Sequence, residues 1–166
     1  MHNLLKRIAR SLGISDHGPG LREKFWERHS LQELNGQEWE ELCDGCGLCC
    51  LLKFGEDGSD EIGWTNVACR LLDLDLCRCR HYEARTRIVK DCIVLEPNSI
   101  DEVMAWMPAT CAYRLLHEGK PLHSWHHLVS GSRESVHEAG ISVRGRAISE
   151  TEINMDDLED YAIGDR

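Results

Sequence analysis

The sequence predicts a single small domain, mainly α-helical with little β structure, in which irregular cysteine loops are stapled by metal. Three observations carry that expectation. A chain of 166 residues is long enough for one hydrophobic core and short for two. Amphipathic runs opened by capping residues recur along it. Eight of its nine cysteines fall between positions 43 and 92, among glycines and turn formers.

Residues 1–20 read as an N-terminal amphipathic extension, with Leu4, Leu5, Ile8, Ala9 and Leu12 on one helical face before Gly18-Pro19-Gly20 stops the run. Ser30 and Glu33 form a capping-box pattern. Asn35-Gly36 then breaks the chain, and a second helical run through Trp39 and Leu42 leads directly into Cys43. Gly45, Gly47, Gly55 and Gly58, with Asp57, Asp60 and Glu61, disfavour helix, so the cysteine region is expected to be irregular. The acidic loop at 55–61 lacks EF-hand spacing and reads as a solvated turn. Ser99 and Glu102 open a helix whose inward face is Ile100, Val103, Met104 and Met107 and which Pro108 ends. Another helix runs from Cys111 to Glu118, stopped by Gly119 and Pro121. Ile141-Ser142-Val143-Arg144 alternates like a strand. Residues 151–166 read as an acidic C-terminal tail, which leaves 21–150 as the cysteine-cluster domain.

The cysteines follow the order Cys43-x2-Cys46-x2-Cys49-Cys50, then Cys69, Cys77-x-Cys79 and Cys92, with Cys111 apart. As a helix, the first four would project within an arc of about 120°. As a loop, x2 spacing still lets neighbouring sulfurs converge on one ion. A lone buried cysteine is ordinarily a small hydrophobe, and Cys111 is read that way, as a helix core residue. Core packing gives no reason for CxxCxxCC followed by CxC. The predicted metal ligands are therefore Cys43, Cys46, Cys49, Cys50, Cys69, Cys77, Cys79 and Cys92. Eight thiols suit two zinc ions of four thiolates each, and equally iron–sulfur clusters, so zinc or iron stays open. His81, two residues after Cys79, is the leading non-cysteine candidate. Arg70, Arg78, Arg80, Arg85, Arg87 and Lys90 are positioned to offset the thiolate charge.

The net charge of −10 argues against a nucleic-acid partner. No apolar stretch is long enough for a membrane span, and Met1–Ile8 has no signal-peptide apolar region, so the expected location is cytoplasmic, where thiols stay reduced.

These motifs resemble one known family, the bacterial cysteine-cluster proteins of CxxCxxCC type (YkgJ/YcgN-like), in their YcgN-like branch. The resemblance runs from Phe25-Trp26 through Leu42-Cys43-Asp44-Gly45-Cys46-Gly47-Leu48-Cys49-Cys50, Thr65-Asn66-Val67-Ala68-Cys69 and Cys77-Arg78-Cys79. It continues through Asp91-Cys92 and Pro108-Ala109-Thr110-Cys111 to Ser124-Trp125-His126 and Ile141–Arg144. It implies zinc or iron chelation. The chain departs from the family at His127, where relatives often carry proline, and before Asp91-Cys92, where they often carry proline as well; neither departure removes a thiol. A related cluster in flagellin lysine methylase raises methyl transfer as an analogy.

No nucleotide loop, serine elbow or paired-carboxylate motif marks a catalytic centre. The expectation is a metal-binding protein without independent catalysis that presents a surface to a protein partner. The alternatives are an iron–sulfur redox or accessory protein, and methyl- or sulfur-transfer chemistry at a metal-bound thiolate.

Overall fold

In the computed structural model, residues 20–55 and 62–164 are described. The predicted N-terminal extension and most of the acidic loop at 55–61 lie outside them. The mainly helical expectation is wrong: helices share the chain with two β-sheets, one of four strands and one of two. No α-helix among the described residues is longer than six residues, the length of Gly36–Glu41 and Ala112–His117.

The larger sheet is built on β2 (Gly63–Ala68). β1 (Leu51–Phe54) pairs with it antiparallel, Leu51 opposite Ala68 and Phe54 opposite Gly63. β5 (Ile148–Ser149) runs parallel to its end at Val67 and Ala68, and β6 (Ala162–Ile163) antiparallel to its start at Trp64 and Thr65. A strand has two edges and β1 occupies one, so β5 and β6 divide the other between them. β2 is thus central, with Thr65, Val67 and Ala68 wholly buried. The Thr65 hydroxyl donates to the Leu52 carbonyl at 2.7 Å, which satisfies its buried oxygen. β3 (Leu72–Asp73) and β4 (Arg78–Cys79) form the small second sheet.

Two hydrophobic cores result. The first joins the N-terminal helices to those after residue 99, through Phe25, Trp39, Leu42, Ile100, Met107 and Tyr113. The rings of Trp39 and Tyr113 lie 4.9 Å apart, and the Tyr113 hydroxyl donates to the Trp39 carbonyl at 2.6 Å. The second core lies under the sheet, through Leu48, Leu51, Leu72, Val136 and Val143.

Local signals were met unevenly. Ser30 and Glu33 form their capping box, although the helix it opens is a single 3-10 turn, Leu31–Glu33. Ser99 makes no side-chain cap, and its helix ends at Val103, continuing as the 3-10 turn Met104–Trp106. Residues 141–144 are turn and bend rather than strand; strand pairing falls at Ile148–Ser149 instead. Gly145, with φ +70, ends the alternation before a partner strand is reached. The acidic C-terminal segment packs back on β2 through the 3-10 helix Met155–Tyr161 and β6.

Candidate metal centre

The CxxCxxCC turn lies between the two cores, Cys49 packed against the first and Cys46 and Cys50 on the second. The helix Gly36–Glu41 ends at buried Leu42 and delivers Cys43 to this turn. Gly45 and Gly47 follow in the left-handed region, φ +77 and +76, where a side chain is strained. At Gly47 a β-carbon would also lie 2.7 Å from Val143 Cγ2. The Cys50 N–H donates to the Gly47 carbonyl at 3.1 Å, closing the 3-10 turn Leu48–Cys50.

Pairing of β1 with β2 then brings in the next thiol, because the Cys69 N–H donates to the Cys50 carbonyl at 2.9 Å. The β3–β4 hairpin sets Cys79 opposite Leu72, and the Arg80 N–H donates to Leu71 at 2.8 Å, so Cys79 returns to the neighbourhood of Cys69. Arg70 Nη2 donates to the Ile88 carbonyl at 3.0 Å, tying this loop to the helix Arg85–Ile88, after which a turn presents Cys92.

Eight thiols consequently share one electrostatic neighbourhood, that of Cys111 among them. Cys49 acts on Cys43, Cys46, Cys50, Cys92 and Cys111, while Cys69 acts on Cys50 and Cys92 and is itself acted on by Cys79. Burial pushes the thiols of Cys43, Cys46, Cys69 and Cys92 up. Cys49 and Cys50 are hydrogen-bonded to each other, which lowers Cys49 and raises Cys50. Lys53 helps hold Cys49 down. Its ammonium donates to the carbonyls of Cys49 and Leu51 at 3.1 and 2.9 Å and lies 4.5 Å from the Trp64 ring centroid.

Cys77 is placed differently. It is buried in the second core with φ +52, its thiol 3.8 Å from the Leu74 carbonyl, and its acidity is set by burial, then by Arg144, Ser142 and Val143. Cys111 is buried in the first core at the start of the helix Ala112–His117, as its core reading anticipated. His81 is exposed. The later histidines have other work: His117 faces Asp101 at 3.0 Å, His123 stacks on Trp125, and His126 bonds the Leu42 carbonyl at 3.1 Å. Of the expected cationic neighbours, Arg78 acts on Cys43, Arg85 on Cys92 and Arg70 on Cys69 while also pairing with Glu150, whereas Arg80 pairs with Asp73.

Sequence reasoning missed Lys53 and Asp44. Asp44 is buried within the CxxC turn; one carboxyl oxygen accepts the Cys46 N–H at 2.9 Å, and the other is buried without a hydrogen-bond partner. Lys53 lies only three residues past Cys50, so its spacing was the available signal.

As the side chains stand, no three His, Cys, Asp or Glu among the described residues are grouped to hold one ion. The donors nevertheless suit a soft cation: they are partly buried thiols, with an orphaned carboxyl oxygen beside them.

Comparison with known proteins bears on this chemistry. Residues 42–112 match the family model CxxCxxCC, described as "Putative zinc- or iron-chelating domain". Over 139 residues the chain is 54% identical to the UPF0260 protein of Sinorhizobium medicae, covering 84% of this chain and 89% of that one. The chain belongs to the UPF0260 family. Its similarity to the UPF0260 proteins of Rhizobium meliloti and Agrobacterium fabrum is 52% identity over the same share of this chain, covering 89% and 85% of theirs. No solved structure matches. No helix among the described residues of this UPF0260 chain is long and apolar enough to cross a membrane.

Proposed function

We propose that this UPF0260 chain binds zinc or iron through the thiols of Cys43, Cys46, Cys49, Cys50, Cys69, Cys79 and Cys92. The observation that supports the reading is that separate stretches of chain are tied together near their cysteines: the Cys69 N–H donates to the Cys50 carbonyl, the β3–β4 hairpin sets Cys79 opposite Leu72, and Arg70 holds the helix that precedes Cys92. Buried thiols that resist ionisation are costly to hold as thiolates alone, and a bound cation offsets that cost. The match to a family model described by zinc or iron chelation supports the same chemistry. Metal binding is then coupled to the docking of the two cores, and a reducing compartment such as the cytoplasm keeps the thiols available.

The test is purification without oxygen, followed by metal and acid-labile sulfide analysis and a visible spectrum. Stoichiometric zinc in a colourless protein identifies a zinc site; brown protein with iron and sulfide identifies an iron–sulfur cluster. Protein that retains neither metal, and takes up neither on addition, overturns the reading. Within the series, Cys49→Ser and Cys50→Ser are expected to lose metal, whereas Cys77→Ser retains it.

A further inference from the structure

We infer that Asp44 is a metal ligand, so that the site combines thiolate donors with one carboxylate oxygen. The inference rests on the metal-binding reading and goes beyond its cysteine set.

Asp44 is 7% exposed and lies between Cys43 and Cys46 in sequence. Its two oxygens have different fates. Oδ1 accepts the Cys46 N–H at 2.9 Å, an Asx turn that accounts fully for that atom. Oδ2 is buried and has no hydrogen-bond partner. A turn requires only one oxygen, so the second needs another explanation.

The nearby cations do not supply it. Lys53 is committed to the carbonyls of Cys49 and Leu51, and the Arg78 guanidinium, 3.7 Å from where a β-carbon at Gly45 would stand, acts on Cys43. Asp44 stands one residue from Cys43 and two from Cys46, and its charge acts on both thiols, on Cys49 and Cys111, and on His126 and His137. Placing a carboxyl oxygen there without a cation raises the cost of ionising those same thiols, whereas a shared metal ion removes both penalties. Zinc and iron both accept carboxylate oxygen alongside sulfur. An oxygen donor is harder than thiolate and less tightly held by a soft ion, which makes one position of the shell exchangeable and suits delivery or sensing of the metal better than permanent stapling.

Asp44→Asn separates the two roles, because the amide oxygen still accepts the Cys46 N–H while the carboxylate is lost. In competition with a chromophoric chelator, zinc(II) binding is expected to weaken at least ~10-fold in D44N, with the thiol count protected by zinc unchanged. X-ray absorption at the zinc edge of the wild-type chain, which does not depend on the variant folding, is expected to show a light-atom scatterer beside sulfur. An all-sulfur shell, or unchanged zinc affinity in folded D44N, overturns the inference and leaves metal binding by the cysteines standing. A wild-type chain that binds neither zinc nor iron removes both.

Discussion

At the scale of single residues, two buried ionisable groups govern how the protein responds to acid. Glu38 has no exposed side-chain surface and collects the Arg22 guanidinium at 2.6 and 2.8 Å, the Arg22 N–H at 3.0 Å and the Asn35 N–H at 3.0 Å. The Arg22 hydrogen bond holds its carboxyl down at about 2. Its ionised form is favoured by folding, so its contribution is complete above the ordinary carboxylate range and disappears as pH falls toward 2. His126 behaves as the counterpart. Burial depresses it to about 4, with His127 and Arg133 lowering it further and the Leu42 carbonyl and Asp44 opposing. Its Nδ1 accepts the Leu128 N–H, so the neutral ring donates from Nε2 to Leu42. Stability from neutral His126 is present above pH ~6.5 and is lost as pH falls toward 4, on the order of 3 kcal/mol in full. Thermal melts of metal-free protein should therefore fall in two acid stages, and His126→Gln should flatten the upper one. Glu38→Gln should lower the melting midpoint by several degrees at neutral pH while abolishing the lower stage. The Ser30–Glu33 box was legible because its two residues announce it. The second box, Asn35 with Glu38, was passed over since Asn35-Gly36 also reads as a break, and the distant Arg22 leaves no local mark.

At the scale of elements, the turn at Gly47 and the edge of β2 decide whether the cysteines meet. Gly47→Ala combines a left-handed φ with a clash against Val143, and should cost roughly 2–3 kcal/mol in urea unfolding. Gly131→Ala is the control: φ is +78 but nothing lies within 4 Å of the added carbon, so only the backbone term of about 1 kcal/mol remains. Equal losses at the two sites would count against packing at the Gly47 turn. Removing residues 155–166 should uncover the β2 edge at Trp64 and Thr65, lowering the melting temperature and promoting self-association in sedimentation velocity. The sheet escaped the sequence reading for identifiable reasons. β2 is covered on both faces, so Gly63–Ala68 shows no alternation of polar and apolar residues, and β5 and β6 are two residues long, below any periodic signal. The short helices were easier to find than to measure, since caps mark starts while tertiary packing sets lengths.

At the scale of the molecule, the CxxCxxCC turn touches both cores, with Cys49 packed against one and Cys46 and Cys50 against the other. A metal bound there bridges both, so added zinc should raise the melting temperature progressively with its free concentration. Hydrogen exchange should slow together at residues 43–50 and 69–71; protection confined to one stretch would argue against a shared site. The seven cysteines proposed as ligands were all named from sequence spacing; what spacing left out is the route, because Cys69 and Cys79 arrive through strand pairing and Cys92 through the Arg70 contact to Ile88. The way β5 and β6 divide one edge of β2 also sets an order of events in synthesis. The chain emerges from its N-terminal end, so the CxxCxxCC stretch and β2 are made long before residues 148–163 can cover that edge. Until then the strand leading into Cys69 has β1 on one edge and no partner on the other. On the proposed reading, a metal ion met before residues 148–163 are made would find the β2 edge beside Cys69 still open.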